Sequence, residues 1–183
     1  MLRRSAAVLL AAVLPLAACN NQPSVSVQNA SVGEVASKVA EAHGSGALVS
    51  PGKWVTTVVV DEMTIPGMPP EAAARMKGMT GGTHTIQSCL TAEEVKQPKG
   101  EFFGANKDCR YDHFTMGGGK IDAALTCTRN GSTQVMQMAG TYSSDAYSMV
   151  MTASMSGPGP AGGMKMRTHS EAKRVGACDG KEG

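Results

Sequence analysis

The chain has 183 residues, with 17 Lys or Arg against 15 Asp or Glu, and aromatic residues make up only 4% of it. Arg3 and Arg4 belong to an N-terminal leader; without them the balance is 15 basic to 15 acidic, which leaves no electrostatic footprint for nucleic acid and excludes it as a partner. Removing residues 1–18 leaves 165 of the 183, enough for one domain with its own core.

The leader has the three-part order of a secretory signal: Arg3 and Arg4, an apolar run from Ala6 to Leu14, then Pro15 before Leu16-Ala17-Ala18-Cys19. Its apolar run is too short to span a bilayer. The Leu-Ala-Ala-Cys ending resembles the lipobox of bacterial lipoproteins. That resemblance implies a diacylglycerol on the Cys19 sulfur, cleavage before it and acylation of the new N-terminus. Several acyl chains on one residue satisfy the need for more than one chain in stable anchoring. Asn20 stands where Asp would be the common signal for inner-membrane retention, so the expected place is the periplasmic face of the outer membrane. The expected organisation is a lipoprotein signal peptide over 1–18, a tether and amphipathic helix over 19–50, and a disulfide-stapled β domain over 51–179.

Residues 20–30 read as a polar, irregular tether. Ser31 and Glu34 then form a capping box, Val32, Val35 and Val39 share a face, and Gly44 supplies a stop, which predicts one helix. From Pro51 the texture changes: "GKWVTTVVVDEMTI" is rich in β-branched residues and reads as a strand. Pro66, Pro69 and Pro70 mark a loop, followed by a helical piece, "PEAAARMKGM", that Gly81 and Gly82 end. "THTIQSC" is another strand, and "LTAEEVKQP" is a helical turn capped by Thr91. Strand-like runs follow at about 109–116, 120–129, 132–142, 146–156 and 163–174. Short strands joined by Gly- or Ser-rich turns predict an all-β domain: an antiparallel up-and-down curved sheet or incomplete barrel, with a short N-terminal helix.

Four cysteines follow Cys19: Cys89, Cys109, Cys127 and Cys178. An even count in an exported chain points to two disulfides. Folding the stretch from Cys109 to Cys127 about Gly118 sets Thr115 against Ile121, His113 against Ala123, Tyr111 against Leu125 and Cys109 against Cys127. Directly opposed residues on antiparallel strands lie within disulfide reach, so Cys109–Cys127 is expected and Cys89–Cys178 remains. Zinc competes weakly, because no CxxC pair exists.

"PGKW" (51–54), "CLTAEE" (89–94), Cys109 and Tyr111, "GGKI" before Cys127, "GTYSSDAY" (140–147) and "KRVGAC" (173–178) occur in that order. This set resembles the domain of unknown function 3617 family, small exported proteins of proteobacteria, over residues 50–178. The resemblance implies an exported, cysteine-containing β domain and supplies no catalytic residues.

Constellations that carry chemistry are few. Gly117-Gly118-Gly119-Lys120 lacks the Ser or Thr and the leading glycine spacing of a phosphate loop, and reads as a hairpin turn. Gly52-Lys53-Trp54 resembles the GxW signature of lipocalins, whose barrels hold apolar ligands, with Arg174 placed to stack on Trp54; a core tryptophan at a strand start explains it as well. His43, His84, His113 and His169 are scattered singly, Glu93 and Glu94 point apart, and no G-x-S-x-G elbow exists. Neither an enzyme nor a cofactor is expected.

The methionines pose the remaining question. Folding 134–155 about "SSDA" sets Met136 against Ala153, Met138 against Met151, Gly140 against Met149 and Gln134 against Met155. Met136, Met138, Met149, Met151 and Met155 then share one face, because strand side chains alternate with period two. Thioethers select copper(I), which makes these five a candidate metal set. They also fill volume in a chain with three Leu and three Ile after Cys19, and the core reading takes precedence over copper. The expected role is a binding or envelope-structural module, with a membrane reached through the lipid anchor and an envelope protein or small apolar ligand as partner.

Overall fold

The computed structural model describes residues 24–44, 48–80, 82–96, 107–158 and 162–180. Its strands are β1 (Val25–Ser31), β2 (Gly52–Thr64), β3 (Thr83–Leu90), β4 (Cys109–Gly117), β5 (Lys120–Arg129), β6 (Ser132–Tyr142), β7 (Ala146–Ser156) and β8 (Lys165–Gly176). Its helices are α1 (Val32–His43), α2 (Pro70–Thr80) and α3 (Ala92–Lys96). The strands form one open antiparallel sheet in the order β1-β4-β5-β6-β7-β8-β2-β3. The all-β expectation holds. Strands β4 to β8 are the up-and-down meander; β1 adds at its β4 edge, and the β2–β3 pair adds beyond β8.

Turn chemistry sets the hairpins. Gly118 and Gly119 have φ of 57° and 73°, and Asn130 and Gly131 have φ of 51° and 76°. Two consecutive left-handed residues make the two-residue turn whose twist matches paired strands. Lys120 therefore faces Gly117, and Met116 faces Ile121, one residue off the register expected from a fold about Gly118. Tyr111–Leu125 and Cys109–Cys127 nevertheless pair as expected, because a bulge between Tyr111 and His113 absorbs the extra residue. The bulged Asp112 carboxylate accepts a hydrogen bond from Thr126 Oγ1 at 2.8 Å.

The first strand corrects the reading of residues 25–30 as an irregular tether. They pair antiparallel with β4 from Val25–Met116 to Ser31–Arg110. Asn29, at φ 49°, breaks the alternation, so Val25 and Val27 face the core and then Ala30 does, one residue out of step with a period of two. Arg110 secures the kink, with its guanidinium donating to the Asn29 side chain and carbonyl.

The core lies at this end of the sheet. Ser31 caps α1 by accepting from the Glu34 amide at 3.2 Å, and Val32, Val35 and Val39 are buried. They pack on Val25, Tyr111, Phe114, Met116 and Leu125. The Tyr111 and Phe114 rings meet edge to face, with centroids 5.3 Å apart. Burying each such valine stabilises by roughly 1.5–3 kcal/mol relative to exposure. Both expected disulfides are present: Cys109–Cys127 within the β4–β5 ladder, and Cys89–Cys178 with Cα atoms 5.5 Å apart.

Candidate functional site

Strand alternation divides the sheet into two faces with different chemistry. The face under α1 is apolar. On β6 and β7 the register is the expected one: Met136 opposite Ala153, Met138 opposite Met151, Gly140 opposite Met149, Gln134 opposite Met155. The five methionines thus share one face of one hairpin. The sheet adds three that local folding did not show: Met116 on β4, and Met166 and Met63, which lie opposite each other on β8 and β2. Only long-range pairing brings these in, so no local signal marked them.

Burial grades along this face. Met116 is buried, and the five on the hairpin are half-buried: Met136 and Met138 pack against the core cluster, whereas Met149, Met151 and Met155 lie outside it. Helix α1 seals the β1–β4–β5 end; the β7 methionines lie outside the cluster it covers, with buried Ala153 and Thr168 beside Met151. Gly140 allows the strands to approach here, since a Cβ would overlap the Ser148 carbonyl oxygen and the Met149 backbone.

The tryptophan at the start of β2 is structural. Trp54 is 2% exposed, its Nε1 donates to the Ser50 carbonyl at 3.0 Å, and its ring stacks on Tyr147 at 6.2 Å. Arg174 does lie directly across from Trp54 on β8, but its Nε donates to the Pro51 carbonyl at 2.7 Å. The ring stacked on Trp54 is Tyr147, and Arg174 pins the chain entering β2. Gly52, at φ 141°, has no room for a Cβ beside Arg174 and the Gly176 carbonyl.

The other face is polar. His113 Nε2 lies 2.7 Å from Asp122 Oδ1, and His169 Nδ1 lies 2.6 Å from Asp61 Oδ1. The two pairs stand on β4–β5 and β8–β2, separated by β6 and β7, so they do not meet. Near Asp61, a shallow groove of about 400 Å³ is lined by Glu62, Gln137, Thr152, Lys165 and Arg167. Burial lowers the His43 pKa and raises those of Tyr111 and Tyr142. Glu94 belongs to a cap: its carboxylate accepts from the Thr91 amide at 2.9 Å, and its amide donates to Thr91 Oγ1 at 3.2 Å. Among the described residues, no three His, Cys, Asp or Glu side chains converge to hold a metal ion. Cys19 lies outside the described residues.

Residues 49–178 match the family described as Protein of unknown function (DUF3617). The chain belongs to this family. No curated protein and no solved structure matches it. The DUF3617 segment contains β2 to β8, both disulfides, the Trp54 corner and the β6–β7 methionines. Strand β1 and helix α1 precede it, yet they supply Val25, Val32, Val35 and Val39 to the core. In this chain, an element outside the family segment therefore seals one end of the DUF3617 sheet.

Proposed function

We propose that this DUF3617 chain is a lipid-anchored lipoprotein on the periplasmic face of the outer membrane, where it binds a small apolar ligand and performs no catalysis. The observation that carries the binding reading is the row of half-buried methionines on β7 that lies outside the core cluster. Helix α1 packs at the β1–β4–β5 end, and Met149, Met151 and Met155 lie half-buried beyond its cluster, beside Ser170, Thr168 and Gln134. Flexible thioether side chains suit ligands of irregular apolar shape, because they refill volume by changing rotamer. The leader order and Cys19 in its lipobox-like setting support the anchor. Isolated His–Asp pairs on the opposite face lack a neighbouring nucleophile in hydrogen-bond contact among the described residues, which favours binding over catalysis.

Native mass spectrometry of protein purified from its own envelope tests this. An apolar adduct that disappears in a Met149→Glu/Met151→Glu protein of unchanged circular dichroism is the expected result. A ligand-free wild type, or a copper adduct lost on Met→Leu substitution, refutes it.

A further inference from the structure

The strand that follows Cys19 enters the sheet at a defined end, and this limits which part of the domain meets a bilayer. Five peptide links separate Cys19 from Ser24, the residue before β1, a reach of at most roughly 18 Å. Val25 pairs with Met116, beside the turn between β4 and β5. The far end of β4, at Cys109, lies about 24 Å further along the strand from Met116 at the usual rise. The tether is too short for the domain to invert and present that far end.

A second observation selects the same end. Its turns are joined into one surface: the Tyr142 amide donates to Gly119 O at 2.9 Å, Ser50 to Ser144 O at 2.7 Å, and Arg174 to Asp145 O at 2.9 Å. A groove of about 620 Å³ opens beside them, with Val55, Tyr142, Tyr147, Lys173 and Val175 in its lining. Val175 is 54% exposed, unusual for a large aliphatic side chain in this protein. The exposed aliphatic Val175 and Lys173, with its apolar stem, match the chemistry of the zone between lipid chains and water.

We propose that the end of the sheet carrying the Gly117–Lys120 and Tyr142–Ala146 turns and Val175 rests on the headgroup region of a phospholipid bilayer. The placement depends on the lipid at Cys19 proposed above. It goes further by assigning a lipid-contacting surface within the DUF3617 segment itself, and it sets the 620 Å³ groove at the membrane side.

The test uses full-length lipidated protein in phospholipid vesicles with a headgroup-attached quencher. A fluorophore is placed on one added cysteine, Ser144→Cys at the proposed contact end or Arg129→Cys at the far end, under oxidising conditions that keep both disulfides. Several-fold stronger quenching at 144 than at 129 is expected. Mass spectrometry of the N-terminal peptide and vesicle flotation report the anchor separately. If Cys19 carries no lipid and the protein does not float, the anchoring reading fails and the contact falls with it. If the protein floats and both labels are quenched equally, the anchor stands and the contact surface is overturned. Val175→Asp should weaken quenching at 144 without altering flotation; undiminished quenching removes Val175 from the surface and overturns the groove's role. In native membranes, photo-crosslinks from position 144 should reach lipid, and crosslinks to a protein alone would overturn the bilayer as partner.

Discussion

Removing the Cys89–Cys178 bridge gives the most informative perturbation. Cys89 pairs with Lys53 on one side of β2, and Gly176 pairs with Lys53 on the other. The bridge therefore crosses the start of β2 and ties its two neighbours together. The cysteines are 89 residues apart, and loop-closure entropy assigns such a cross-link about 4.5 kcal/mol. The 18-residue separation of Cys109 and Cys127 gives about 3 kcal/mol by the same relation. At a urea slope of about 2 kcal/mol/M, the Cys89→Ala/Cys178→Ala midpoint should fall by about 2 M. The loss should also be local. Among the described residues, strand β3 pairs only with β2, and Thr83 to Gln87 are exposed. Hydrogen exchange should accelerate in β3 before it does in β4 to β7. Trp54, the single tryptophan, faces Ser88 across the β2–β3 ladder and reports the same region by fluorescence. An unchanged midpoint together with unchanged β3 exchange would refute the reasoning.

Other outcomes follow from the same geometry. Cys19→Ser should release the protein from membranes without changing its melting temperature; fractionation with membranes as tight as wild type would remove the lipid anchor. Met138→Ala should cost about 2 kcal/mol, the low end for core truncation because the side chain is only partly buried. Met138→Leu should cost under about 1.5 kcal/mol in the same unfolding assay, since volume is kept. Stoichiometric copper(I) uptake abolished by that leucine would assign the face to metal instead. Burial raises the Tyr111 pKa above its ordinary 10.0, so above that pH the unfolded chain releases a proton that the folded chain retains. Stability should therefore be unaffected by this group below pH 10 and fall as pH rises beyond it, with a shallower fall in Tyr111→Phe, read as urea midpoints at alkaline pH.

What the sequence disclosed divides by distance along the chain. The β6–β7 register was legible residue by residue because a four-residue polar turn and alternating side chains fix it locally. The β4–β5 register was half legible. The cysteines and Tyr111–Leu125 pair as expected, but the bulge at Asp112 shifts everything nearer the turn, and nothing in "RYDHF" marks an extra residue. Strand β1 was missed because Asn29 breaks its alternation and its partner lies some eighty residues later. Arg174 was expected to stack on Trp54; it does lie opposite Trp54, but the ring on Trp54 is Tyr147, which depends on β7 and β8 packing beside β2. The methionine stripe was visible on one hairpin; its extension to Met63, Met116 and Met166 required the whole sheet.

The placement of β8 between β7 and β2 also imposes an order of events during folding. Tyr142 and Tyr147 pair across five residues of chain, whereas Lys53 must find Gly176 across 123. Closing the longer loop costs about 3 kcal/mol more in chain entropy. The meander from β4 to β7 can therefore assemble early, while β2 waits for β8 although it is synthesised first. During that interval β7 presents an unpaired edge with "SMVMTASM" along it, an apolar template open to strands of other chains. Refolding yield should accordingly fall with protein concentration, and the vulnerable moment is the wait for the last strand.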